Sequence, residues 1–349
     1  MTSQNSPVAV IGAGSFGTVV ANLLAENSEV LLYARRPEVV KQIAQEQRSA
    51  GYAVHPHVRA TNDLEATIAQ CQVIFPIVAS SGFRETMRSL SPYLRPYHIV
   101  IHGTKGLDIS EKTADSLTRE QVKTMSEVIR EESIAVRVGC LAGPNLAHEL
   151  GEGQPAATVV ASRFEEVVQT GQRLLRNSLF QVYGSEDLIG IELCGVLKNI
   201  IAIASGALSG LALGENARAL LISRGLLEMM SIGKALGANP EAFMGLAGVG
   251  DLVATCFSTH SRNYTVGYRL AQGETLSQII EDSEEVAEGV NTTHVVKQLA
   301  DHYQITAPIT RMLYRLLFED LPAQQALRSL MKIPLGEGED MGLYKKIAT

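Results

Sequence analysis

From Val8 to about Ser185, short β-branched runs alternate with stretches whose apolar residues recur at helical spacing. Strands are predicted at Val8–Ile11, Glu29–Tyr33, Val73–Ile77, His98–His102, Ala135–Val138 and Ala157–Val160. Such alternation is the pattern of a parallel sheet with crossover helices. After Leu188 the strand pattern stops, and helical segments are predicted at 191–211, 215–237, 240–247, 262–271, 274–282, 290–301, 307–318 and 322–331. The expected fold class is therefore α/β: a doubly wound sheet over residues 1–189 joined to an all-helical domain over residues 190–349, with a loose tail from Pro334. The longest apolar stretch, Leu193–Gly214, is long enough for a membrane span, but Lys198, Asn199 and four glycines within it favour a buried core helix.

Composition narrows the classes. At 349 residues, 46% hydrophobic and 19% charged, the chain can fill two cores and is not disordered. A formal charge of −7 without Trp or a basic tail argues against nucleic-acid binding, so any anionic ligand must meet local positive groups. Cys71, Cys140, Cys194 and Cys256 lie far apart in no C-x-x-C pair, so neither a metal site nor a disulfide framework is readable, and a reducing, cytoplasmic setting is expected. The N-terminal MTSQNSPVAVIGAG lacks the features of a signal peptide, and export is not expected.

The first candidate site follows the first strand. Gly12-Ala13-Gly14-Ser15-Phe16-Gly17 is a G-x-G-x-x-G motif between an apolar strand and a helical run, the context of a Rossmann dinucleotide site. Gly12 would allow the tight turn, Gly14 the approach of a pyrophosphate, and Gly17 close packing of helix on strand. Helix N–H groups and the positive dipole end would face that anion. The second strand runs into Ala34-Arg35-Arg36-Pro37 with no acid at its end. An acid there binds a ribose 2′-OH, whereas arginine accommodates a 2′-phosphate, so NADP(H) is favoured over NAD(H).

The second candidate is Lys198, the one fully charged side chain between Leu193 and Gly214. Desolvation disfavours an ammonium ion and would prepare this lysine for proton transfer, unless the side chain snorkels to water. Three further segments carry sparse polar groups among glycines: Gly103-Thr104-Lys105-Gly106 after a strand, Gly143-Pro144-Asn145-Leu146-Ala147 entering a helix, and Gly248-Val249-Gly250-Asp251 with Ser261-Arg262-Asn263 around a loop. Arginine suits bidentate phosphate binding.

These blocks, in this order, resemble the bacterial type of NAD(P)-dependent glycerol-3-phosphate dehydrogenase. The resemblance runs from the glycine motif through Thr104-Lys105-Gly106-Leu107, Leu197-Lys198-Asn199, Gly214-Glu215-Asn216-Ala217-Arg218-Ala219 and Val286-Ala287-Glu288-Gly289 to Pro308-Ile309-Thr310. It implies a helical domain like that of 6-phosphogluconate dehydrogenase, an active site between the domains, a homodimer, and reversible hydride transfer between NAD(P)H and dihydroxyacetone phosphate that supplies sn-glycerol 3-phosphate to phospholipid synthesis. It further implies catalysis by Lys198 and Asp251 and substrate contacts from Lys105, Gly143, Asn145, Lys198, Asp251, Ser261, Arg262 and Asn263. Cofactor contacts are implied for Gly12, Gly14, Ser15, Phe16, Gly17, Arg35, Arg36, Lys105, Ala147, Arg262, Val286 and Glu288. His102-Gly103 stands where Ala or Ser is more usual before the Thr-Lys pair, and Asn145 where many members carry Thr or Ser. Two rivals stay open here. A ketopantoate or 3-hydroxyacid reductase would share the lysine but not Arg262-Asn263, and a nucleotide sensor without catalysis would leave Lys198 without a task.

Overall fold

The computed structural model describes residues 6–109, 117–282 and 287–332. Eight strands form one sheet: β1 (Val8–Ile11), β2 (Val30–Tyr33), β3 (Val58–Thr61), β4 (Val73–Pro76), β5 (Ile99–His102), β6 (Arg137–Ala142), β7 (Ala156–Ser162) and β8 (Phe180–Ser185). Their spatial order is β8-β7-β6-β5-β4-β1-β2-β3. Val8 of β1 pairs in parallel with Val30 on one side and with Val73 on the other, while β6 and β7 run antiparallel. The order thus reverses at β1 and β4, where crossover helices leave to opposite faces and the carboxyl ends of the strands frame a crevice.

Both faces of the sheet are buried, which explains the unbroken apolar runs. Successive residues point to opposite faces. Val8, Val10, Phe75 and Ile101 therefore join one core, and Ala9, Ile11, Ile74 and Val100 join the other with Phe83 and Met87.

Two strands of this sheet lie outside the sequence-based expectation, and both are edges. In β3 only Val58 is buried, so Val-Arg-Ala-Thr offers little apolar signal. In β8 Phe180 and Val182 are buried while Gln181 and Tyr183 are exposed, a short alternation on the opposite edge. The strand expected at Ala135–Val138 begins and ends later, as Arg137–Ala142.

Two compact units result, one of Met1–Asp108 with Lys123–Glu192, the other of Ile109–Val122 with Leu193–Thr349. The helices beyond β8 include Leu188–Gly210, Glu215–Ala235, Arg262–Ala271, Glu288–His302 and Pro308–Phe318. Helix Leu188–Gly210 is long and apolar enough to cross a membrane, yet 89% of its most apolar window is buried inside the protein, as a core helix requires. Residues 240–247 depart from the expected helix: Pro240–Met244 is a 3₁₀ helix, followed by a π-type turn, Leu246–Gly250. Residues Asp251–Phe257, unassigned from sequence, form a helix. Asp251 therefore opens a helix rather than riding on a loop, and it is buried. The tail from Pro334 lies outside the described residues, as do residues 110–116 and Val286.

Candidate active site

The glycine motif folds as a cradle. Gly12 has φ +119°, and a Cβ there would lie 2.3 Å from the Ile77 carbonyl oxygen. A Cβ on Gly17 would lie 2.0 Å from the Gly12 carbonyl oxygen, so helix Ser15–Ala25 can sit this close to the β1 turn only with glycine. Gly14 differs, since a Cβ there would meet nothing within 4 Å. It is the N-cap of that helix, and no side chain caps the first turn. Uncapped N–H groups facing open space beside a residue without a side chain are what a pyrophosphate needs. The cradle therefore fits a dinucleotide. Ser15 is exposed and Phe16 is partly buried against the core. Arg35 and Arg36 follow β2, both exposed.

The loop after β5 is fastened residue by residue. A Cβ on Gly103 would lie 2.6 Å from Ile77 Cδ1 and 3.1 Å from the Phe16 ring. Thr104 Oγ1 donates to the Val78 carbonyl at 2.7 Å, and Lys105 Nζ donates to the Gly143 carbonyl at 3.2 Å. Gly143 itself has φ +148°. Beyond it, Asn145 Nδ2 donates to Thr158 Oγ1 at 2.8 Å, while Asn145 Oδ1 is buried with no hydrogen-bond partner among the described residues. Ala147 opens the short helix Ala147–Gly151 and packs against the core. Lys105, Gly143 and Asn145 are thus brought together in the sheet unit.

The helical unit builds the second cluster. Lys198 does not snorkel: it is 5% exposed, and its Nζ donates to Asp251 Oδ1 at 2.7 Å and to Thr255 Oγ1 at 2.6 Å. Asp251 and Thr255 stand four residues apart on one helix face, and the Thr255 hydroxyl donates back to the Asp251 main-chain carbonyl at 2.7 Å. That back-bond turns the hydroxyl lone pairs toward the lysine. The π-type turn delivers Asp251 to this place. A Cβ on Gly248 would lie 2.0 Å from the Phe243 carbonyl oxygen, so glycine is required for the turn to close. Burial disfavours the Lys198 ammonium and the adjacent carboxylate favours it; the two effects act on the same atom. Thr255 escaped the sequence reading. Its signal, a hydroxyl one turn after Asp251, exists only once the helix there is recognised.

Two further motifs join the lysine helix. Helix Arg262–Ala271 approaches helix Leu188–Gly210 through glycines: a Cβ on Gly206 would lie 1.9 Å from the Tyr264 carbonyl oxygen, and one on Gly267 would lie 1.8 Å from that of Ile203. Ser261 caps that helix by accepting from Tyr264 N, and Arg262 is exposed in its first turn. Asn263 Oδ1 accepts from Gly289 N at 2.9 Å, and a Cβ on Gly289 would lie 2.8 Å from the Asn199 carbonyl oxygen. Lys198-Asn199, Asn263 and Glu288-Gly289 therefore meet in one neighbourhood.

Comparison with known proteins accounts for this pairing of parts. NAD-dependent glycerol-3-phosphate dehydrogenase N-terminus matches residues 7–168, and the C-terminus of the same family matches residues 187–328. The chain belongs to this family. It is 41% identical to glycerol-3-phosphate dehydrogenase [NAD(P)+] of Pseudomonas paraeruginosa over 95% of this chain and 96% of that protein. It is 38% identical to that of Staphylococcus saprophyticus over 93% and 98%. The crystal structure of glycerol-3-phosphate dehydrogenase from Coxiella burnetii is similar at TM-score 0.86 and 34% identity, covering 95% of this chain and 100% of that one. A ketopantoate reductase from Ralstonia eutropha shares only the fold, at TM-score 0.55 and 16% identity over 93% of this chain and 99% of that one.

All four cysteines of the chain are buried and none forms a disulfide. Cys256, one residue beyond Thr255, is pushed up to about 12 by burial, which keeps it protonated and weakly nucleophilic.

Proposed function

We propose that the protein interconverts dihydroxyacetone phosphate and sn-glycerol 3-phosphate with NAD(P)H, and that Lys198, held by Asp251 and Thr255, is the proton-transfer group. The buried contact between Lys198 and Asp251 carries this reading. Family membership supplies the reaction, and the pair supplies its acid.

A nicotinamide nucleotide held by the Gly12–Gly17 cradle would supply the hydride for reduction of the substrate carbonyl. On reduction, negative charge develops on the substrate C2 oxygen. The Lys198 ammonium stabilises the developing charge and gives up a proton, leaving a secondary alcohol and a neutral amine; oxidation runs the same transfers in reverse. Asp251 Oδ1 and Thr255 Oγ1, 3.2 Å from each other, together fix the position of Nζ. A fixed acid spares the reorganisation that solvent would require. Arg262 offers two parallel N–H donors to the substrate phosphate, with Lys105 and Asn145 as further contacts, so binding far from C2 aligns the reacting carbon. Ser261 and Asn263 act by geometry: one caps the helix bearing Arg262, and the other ties it to Gly289. Arg35 and Arg36 favour NADPH over NADH through the 2′-phosphate. Glu288 and Ala147 remain cofactor contacts in this reading.

We further assign the protein to the cytoplasm as a homodimer that feeds phospholipid synthesis. The buried thiols fit a reducing compartment. The deciding experiment follows NADPH and NADH absorbance with and without dihydroxyacetone phosphate. Oxidation that depends on this ketone, and fails with ketopantoate, supports the reading; oxidation indifferent to the ketone sinks it.

A further inference from the structure

We propose that Glu192 is a positioning residue for Lys105, acting through His102 at the end of β5. The proposal rests on the reading of Lys105 as a substrate contact. His102 is buried, and its Nε2 lies 3.0 Å from Glu192 Oε1. The ring stands edge-on to Phe83 with centroids 5.7 Å apart. Neither ring nitrogen makes a hydrogen bond of good geometry among the described residues, so the polar constraint on the ring is the close approach of Glu192 to Nε2. Glu192 is itself fixed: Oε1 accepts from Ser126 N at 2.9 Å and Oε2 accepts from Ser126 Oγ. Ser126 lies in the first turn of helix Met125–Glu132, where free N–H groups and the dipole favour a carboxylate.

A buried charge with this much support is costly to keep for packing alone, because apolar residues of similar volume commonly do as well. Here the charge bears on the entry to the Lys105 loop. Two residues, Gly103 and Thr104, separate His102 from Lys105, and they are fixed on Ile77, Phe16 and Val78. Gly106 is fixed too, since a Cβ there would lie 2.3 Å from Ser80 Cβ. A loop anchored at each residue transmits a shift of its first residue to its last. Burial acts to raise the Glu192 carboxyl, yet the facing His102 ring and the two Ser126 donors outweigh it and hold the group below the usual carboxylate range. The side chain therefore carries its charge opposite His102 at neutral pH.

Glu192→Gln keeps the shape and an acceptor for Ser126 but removes the charge. It should lower kcat/KM for dihydroxyacetone phosphate by about tenfold or more, as a displaced substrate contact does, with a cooperative thermal transition retained. In a Lys105→Ala background the same change should cost less than about twofold, since coupled residues are not additive. Equal losses in both backgrounds would overturn the proposal, because a merely structural role adds independently. Should Glu192→Gln fail to fold, His102→Gln goes through the same cycle, with the same outcome deciding. A readout free of catalysis uses reductively ¹³C-methylated protein, with the Lys105 dimethylamine resonance assigned by its loss in Lys105→Arg. That resonance should move in Glu192→Gln; an unmoved resonance refutes the coupling. Wild-type protein inactive on dihydroxyacetone phosphate would refute the substrate reading instead, and the resonance would still decide the role of Glu192.

Discussion

The cradle after β1 and the lysine cluster of the helical unit, both proposed above as binding machinery, are built from opposite materials. The cradle is made of backbone and absent side chains: Gly12 and Gly17 close a turn that no Cβ would allow, and Gly14 leaves space open. The cluster is made of side chains placed by two separate stretches of helix, with Lys198 from one meeting Asp251 and Thr255 from the other through short hydrogen bonds. Backbone sites are local in sequence because the atoms that form them are neighbours along the chain. Side-chain sites need only arrive together, so their members can lie 53 and 57 residues apart, as here.

The largest effect is expected where one side chain carries the chemistry. Lys198→Met removes the titrating group and should lower kcat by about 10² or more. It also strands Asp251, which is 1% exposed. Removing one partner of a buried pair costs about 3–5 kcal/mol, so thermal unfolding should fall as well. The double variant Lys198→Met/Asp251→Asn separates the two effects. Melting should recover toward wild type while turnover stays low; recovery of turnover would place the proton donor elsewhere.

The same contrast explains what could be read in advance. The cradle was legible to the residue, because G-x-G-x-x-G between a strand and a helix specifies a backbone path. Lys198 was legible as an anomaly, one charge in an apolar helix. Its partners were only half legible: Asp251 entered through its motif, on a supposed loop, and Thr255 not at all, because a π-type turn has no apolar period to announce the helix behind it. The edge strand β3 escaped for a related reason. Only Val58 of its four residues is buried, so its place is set by pairing with β2 rather than by its own pattern.

A pair of glycine variants sharpens the comparison within the cradle. Gly17→Ala drives a methyl into the Gly12 carbonyl, 2.0 Å from the new Cβ, and overpacking of this kind costs about 1–3 kcal/mol. Melting temperature and affinity for both nucleotides should fall together. Gly14→Ala meets no protein atom within 4 Å, so its melting temperature should stay near wild type. Nucleotide titration by fluorescence should nonetheless weaken, since the methyl occupies space kept for the pyrophosphate. Loss of stability in Gly14→Ala with intact binding would reverse the roles given to the two glycines.

The smallest effect is expected where side chains border the backbone site. Arg35 and Arg36 follow β2 and are exposed, so replacing both with Ala leaves no cavity and should barely move the melting temperature. Their proposed partner is the 2′-phosphate, a dianion present in NADPH and missing from NADH. A solvated guanidinium–phosphate contact is weakened by water and salt, and two of them should contribute about 1–2 kcal/mol, the strength of charge-assisted hydrogen bonds reduced by exposure. The double variant should therefore raise the NADPH dissociation constant by about tenfold while changing that of NADH by less than about twofold. Raising salt should narrow the wild-type preference in the same direction. Equal weakening of both nucleotides would mean that the arginines serve the shared pyrophosphate, making them part of the cradle rather than a selector at its edge.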